Sequence, residues 1–157
     1  MLTTFQDFAA SLPEALQWLG VFLVAAIPFV ESYFGSAIGV LAGINPIVAV
    51  AAAICGNILS MLIFVLSAHG IRSKATANRE PVALTPKRQK LKDRMDRFGV
   101  PVVSLAGQIF LPSQITSAAM VSFGASKNLV IFWQIISIII WGVLFGVLAS
   151  LGVAVVS

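Results

Sequence analysis

Two long apolar stretches, residues 15–68 and 100–156, dominate the pattern along this chain, and a polar segment rich in Lys and Arg separates them. The first is broken at Pro28, at Glu31-Ser32 and at Gly43-Ile44-Asn45-Pro46. The second is broken at Gln108, at Pro112-Ser113-Gln114 and at Gly124-Ala125-Ser126-Lys127-Asn128. An uninterrupted run follows the last break of each, over 47–68 and 129–156, and each reaches the ~20 residues that a bilayer crossing needs. The pieces before them, 15–30, 33–43, 100–111 and 115–124, are too short to cross comfortably.

The two stretches read as copies. Ser36-Ala37-x-x-Val40-x-x-Gly43 recurs as Ser117-Ala118-x-x-Val121-x-x-Gly124, an offset of 81 residues. In both, a polar break with a proline precedes the string, and a turn and a long apolar run follow it. The fold class this predicts is all-α integral membrane, an inverted repeat of a re-entrant hairpin plus a transmembrane helix. Irregular backbone at membrane depth survives only where protein or a wet cavity satisfies it, and paired interrupted segments mark such cavities in transporters. The alternative is four plain transmembrane helices kinked at Pro28 and Pro112.

Composition removes the water-soluble options. Hydrophobic residues make up 59% of the chain and charged ones 10%, with mean hydropathy +0.99. A soluble domain carries about 25% charged residues, and a disordered chain is poorer in apolar ones. The expected organisation is one membrane domain over 1–157. It comprises an interfacial helix (1–14, with Leu2, Phe5, Phe8, Ala9 and Leu12), a first repeat (15–68), a basic loop (69–99) and a second repeat (100–157). Residues 1–14 hold Asp7 and Glu14 but no Lys or Arg, so a cleavable signal peptide is not expected.

Charge placement orients the chain. Of its ten basic residues all but Lys127 lie within 72–97, which puts this loop in the cytoplasm by the positive-inside rule. Hairpins would then leave both termini outside, and four plain spans would leave both inside; termini free of Lys and Arg favour outside. Thr85, Pro86 and the spacing of Leu91, Met95 and Phe98 predict an amphipathic helix at the end of the loop. Its cations Lys87, Arg88, Lys90, Lys92, Arg94 and Arg97 would rest on the anionic membrane lipids of the inner leaflet. Without interleaved aromatic residues the loop does not read as a nucleic-acid binder.

Glu31 is the acidic residue deep in an apolar stretch. An ionised side chain at the bilayer centre costs about 2.5–3.5 kcal/mol on insertion scales, so Glu31 must be protonated, paired or facing a wet cavity. Proton or cation coupling is the functional reading of Glu31; snorkelling to the outer interface is the plain alternative. Lys127 is the nearest candidate partner if the hairpins meet. Gln108, Pro112, Ser113 and Gln114 form the uncharged break of the second half. Unbonded polar groups are expensive in lipid, so these residues either pack helices or line a substrate path. Asn57, beside Gly56 in the first long run, invites the same two readings. Gly142-x-x-x-Gly146 permits close helix approach, and a homo-oligomer is one way to use it.

An enzyme fits poorly. The sole histidine, His69, ends an apolar run, and neither a paired carboxylate nor a base for a serine is at hand. No metal-ligand spacing or phosphate loop occurs, and no cofactor is expected. Cys55 is alone, so it forms no intramolecular disulfide, and it reads as a small buried hydrophobe.

These elements together resemble the small multidrug export family, itself similar to the DedA superfamily of membrane proteins. The resemblance runs from about Ile27 to Gly152. It rests on Pro28-x-x-Glu31, Gly43-Ile44-Asn45-Pro46 leading into a span, Gly56-Asn57 within it, Arg97-Phe98-Gly99 and Leu111-Pro112-Ser113. It implies a multi-pass inner-membrane transporter with paired re-entrant hairpins, moving a hydrophobic or amphiphilic solute, with Glu31 at the acidic position of the first hairpin. The wider superfamily is associated with lipid-carrier translocation and dependence on the proton-motive force. Ser32 and Tyr33 stand where an arginine often follows that glutamate, and Gln108 and Gln114 stand near the superfamily's second-hairpin arginines. Uncharged amides do not replace bidentate arginine, which argues against a phosphate-bearing solute in the hairpins. The rival functions are a lipid scramblase or flippase, and a non-transporting membrane assembly protein dependent on Gly142 and Gly146.

Overall fold

Breaks in the apolar pattern become breaks between helices. The computed structural model describes residues 2–77, 89, 93 and 95–156; among these every regular element is helical. Helix α1 is Leu2–Ser11, and after the 3-10 turn Glu14–Leu16 come α2 (Gln17–Ala25), α3 (Glu31–Leu41) and α4 (Pro46–Thr76). A π-type turn, Met95–Gly99, then leads into α5 (Val100–Ala106), the 3-10 turn Gly107–Ile109, α6 (Ser113–Ser122) and α7 (Lys127–Val156). Among the described residues two helices are long and apolar enough to cross a membrane, α4 and the 127–154 part of α7. At 1.5 Å per residue each exceeds the ~30 Å hydrocarbon core, whereas α3, the longest of the short helices, reaches only ~16 Å. Thr85, Pro86, Lys87, Arg88, Lys90, Leu91, Lys92 and Arg94 of the expected amphipathic helix lie outside the described residues.

The chain forms two compact units, Met1–Ser60 with Ser137–Ser157, and Met61–Ile136. In the first unit small residues set the packing. A Cβ on Gly35 would lie 2.6 Å from Ala25, and one on Gly39 would lie 3.0 Å from Val21. The register therefore runs antiparallel, and α2 and α3 form a helical hairpin. The other side of the same two glycines meets Ala53 and Ala49 of α4, again antiparallel. Gly56 of α4 sits directly against the backbone carbonyl of Phe22 in α2. Helix α1 folds back through a 120° bend and lays Ala9 on Gly20, which buries Ala9 and leaves Phe8 exposed.

Gly142 and Gly146 are used inside the unit. Gly142 faces Ser32 and Ile54, Gly146 faces Val50 and Ser36, and Ser32 Oγ donates to the Ile138 carbonyl at 2.8 Å. The close approach permitted by this motif is thus made to α3 and α4 of the same chain. Cys55 corrects the sequence reading, for it is exposed. On a helix apolar all round, hydrophobicity does not separate the packed face from the outward one.

The offset of 81 residues reappears in the hydrogen bonds. At the end of α3, the N–H groups of Ala42, Gly43 and Ile44 donate to the carbonyls of Ile38, Val40 and Gly39. At the end of α6, those of Phe123, Gly124 and Ala125 donate to Ala119, Val121 and Met120. Gly43 (φ +83°) and Gly124 (φ +108°) take the left-handed backbone that closes such a helix end. One residue further the next helix is entered alike, with Ala49 N–H bonded to Asn45 O and Val130 N–H to Ser126 O. Each of these four bonds has its counterpart 81 residues on, so the local build of helix, left-handed glycine turn and long helix is repeated.

Candidate functional site

The break before α3 carries the acidic group. Phe29 (φ +75°) and Glu31 (φ +56°) both lie in the left-handed region, where a side-chain-bearing residue costs about 1–2 kcal/mol. Such strain persists only where the surroundings over-determine it, and it clusters at functional positions. The Glu31 N–H reaches back to the Ile27 carbonyl at 3.2 Å, and Glu31 opens the first turn of α3. Its side chain is fully buried, as are those of Ser32 and Ser36 on the same helix, Asn57 on α4 and Ser137 on α7. The hydroxyls of Ser36 and Ser137 have no hydrogen-bond partner among the described residues. The first unit thus buries a carboxyl group, the Asn57 amide and several hydroxyls among alanine, glycine, valine and isoleucine. Tyr33, Phe34 and Phe145 form an edge-on aromatic group beside it, the Tyr33 and Phe145 rings 5.4 Å apart. Chemically, a buried carboxyl on a helix end can take up and give back a proton or hold a cation.

The break before α6 is neutral and differently made. Pro112 adopts an extended backbone (φ −55°, ψ 143°). Its carbonyl accepts from the N–H groups of Ile115 and Thr116 at 3.0 Å each and from Thr116 Oγ1 at 3.2 Å. Pro112 thereby stands as the cap residue of α6. Ser113 Oγ donates to Gln114 Oε1 at 3.4 Å, and Ser117 Oγ to the Gln114 carbonyl at 3.1 Å. Thr116 Oγ1 also accepts from Gln134 Nε2 of α7 at 3.1 Å.

Around this network several polar atoms are buried without a partner among the described residues: both ends of the Gln108 amide, Gln134 Oε1 and Ser104 Oγ. Native interiors leave few such groups unmet. All four lie on the second unit. Gln134 and Ser104 were not singled out in the sequence. The available signal was the amide itself, which is expensive anywhere inside a long apolar run.

Of the predicted site residues, Glu31 and Asn57 are buried in the first unit and Gln108, Pro112, Ser113 and Gln114 in the second. Lys127 is half-buried at the start of α7, in the second unit. Arg97, the one described residue of the proposed lipid-contact set, is exposed and lies over the Phe98 ring at 5.3 Å. The adjacent Asp96 Oδ1 accepts from the Ser126 N–H at 3.3 Å, joining the end of the basic loop to the turn before α7. No group of three or more potential metal ligands occurs among the described residues.

Compared with protein-family models, with curated proteins and with solved structures, the chain gives no match. Functional assignment therefore rests on the residues themselves. What the described residues define is an all-helical build with two membrane-length helices and buried polar groups at two helix breaks.

Proposed function

We propose that the protein is a small inner-membrane transporter that exports a hydrophobic or amphiphilic solute, with Glu31 as its proton-coupling residue. The observation that carries this reading is Glu31 itself: a carboxyl group fully buried at a left-handed break between two short antiparallel helices. A charge in such surroundings is costly unless it is paired, protonated or wetted, and ionisable groups kept at membrane depth mark solute and proton pathways. In this reading each helix pair, α2–α3 and α5–α6, dips into the bilayer and returns to its side of entry, because neither member is long enough to cross. The duplicated turns at Gly43 and Gly124 then belong to two halves of inverted orientation, with α4 and α7 as the crossings. Neutral groups at the second break, Gln108, Ser113 and Gln114, offer hydrogen bonds to a polar part of the solute without demanding charge.

The test uses everted membrane vesicles and ethidium as an amphiphilic probe. Energised vesicles with the wild-type protein should accumulate ethidium, and Glu31→Gln should lose at least about tenfold of that rate at equal protein in the membrane. Undiminished proton-dependent uptake by Glu31→Gln would remove the coupling role.

A further inference from the structure

We propose that the groove beside Arg72 holds one anionic phospholipid, its phosphate on the Arg72 guanidinium and an acyl chain along α4. The groove, about 560 Å³, is lined by Ile63, Phe64, Ile71 and Arg72 of α4 and by Ala118 and Ser122 of α6, all within the second unit. Its lining is mainly apolar, and the cation sits toward one end. From Ile63 to Arg72 the helix rises about 13 Å, the scale of a headgroup, a glycerol and the upper part of a fatty chain.

Three further observations fit that occupant. Ile63 and Ile71 are exposed, at 57% and 71%, which suits an acyl chain and not water. Among the described residues Arg72 makes no ion pair, and its side chain is aimed at the turn of α6, where a Cβ on Gly124 would lie 3.3 Å from Nη2. With no side chain at Gly124, the guanidinium lies close beside that turn. Finally, Arg72 is the first cation of the basic loop, so it lies where the apolar run ends and the anionic inner leaflet begins. Arginine matches a phosphate with two parallel hydrogen bonds, while a zwitterionic lipid brings its own cation to compete. The site is independent of the transport reading and of Glu31.

Native mass spectrometry of the detergent-purified protein, with phosphatidylglycerol, phosphatidylcholine or glycerol 3-phosphate added, tests it. Wild type should retain phosphatidylglycerol about fivefold better than phosphatidylcholine, the effect of one cation at an anionic surface. Arg72→Gln should erase that preference. Ala118→Trp, which fills the groove and keeps the charge, should reduce retention of both lipids. Replacing Lys87, Arg88, Lys90 and Lys92 together by Gln should leave the preference intact. The proposal fails if Arg72→Gln keeps the preference, if the loop variant abolishes it, or if glycerol 3-phosphate binds as well as the lipid.

Discussion

The breaks before α3 and α6 solve the same geometric problem with different chemistry. Before α3 the chain turns through two strained residues, Phe29 and Glu31, and buries a carboxyl group. Before α6 it turns through Pro112, whose fixed φ and three-fold-bonded carbonyl make an unstrained helix start, and buries amides. Downstream of the breaks the halves agree bond for bond, through Gly43 and Gly124 into α4 and α7. The fold therefore depends on the shared turns, and the divergence is concentrated where polar groups are buried. A break without strain suffices to start a helix, so the strain at Glu31 calls for another purpose; carrying the coupled proton is the one proposed.

The comparison is broken most severely at Gly56. A Cβ there would collide with the Phe22 carbonyl, a backbone atom that cannot step aside, so Gly56→Ala should cost about 3 kcal/mol by overpacking. Gly70, on the same helix with open space around it, should tolerate alanine. Thermal unfolding of both variants in detergent separates them, and equal melting temperatures would mean that α2 and α4 do not pack as described.

A smaller effect of opposite sign is expected at Gln108. Its amide is buried with neither end partnered among the described residues, so Gln108→Met should stabilise the fold by about 1–2 kcal/mol. The same change should depress ethidium uptake if the amide serves the solute. A variant that melts earlier would show that Gln108 is satisfied in the folded protein.

The mildest comparison lies at the helix starts. Asn45 Oδ1 accepts from the Ile47 N–H at 3.0 Å, so Asn45→Ala should lose about 1 kcal/mol. The counterpart Ser126 joins the turn through its backbone N–H, which alanine retains, and Ser126→Ala should be near neutral. Equal losses in a denaturant titration would point to an unseen side-chain cap on α7.

Much of this architecture was legible because its punctuation is chemical. Pro28, Gly43, Asn45-Pro46, Pro112 and Gly124 bound the short helices within a few residues of where the pattern put them. The end of α4 was not legible. The apolar run stops at Ala68, yet the helix continues to Thr76, because Arg72 and Lys74 end hydrophobicity without ending helical propensity. The strain at Phe29 and Glu31 left no trace either, since neither is a residue that favours left-handed backbone. Glu31 stood out as a charge in an apolar run, whereas Gln134, Ser104 and Ser137 did not. Their meaning depends on which face they share with a neighbouring helix, and a helix apolar all round does not encode that face. The outward position of Cys55 was hidden for the same reason.

The central claim, two halves inverted about a cytoplasmic loop, is tested most directly by side-specific labelling. In a Cys55→Ala background, Thr3→Cys, Ser73→Cys and Ser157→Cys are each exposed, in intact cells, to a thiol reagent that does not cross membranes. The account predicts labelling at positions 3 and 157, and at 73 only after permeabilisation. Termini protected until permeabilisation, with position 73 protected alongside them, would mean four plain crossings and contradict it.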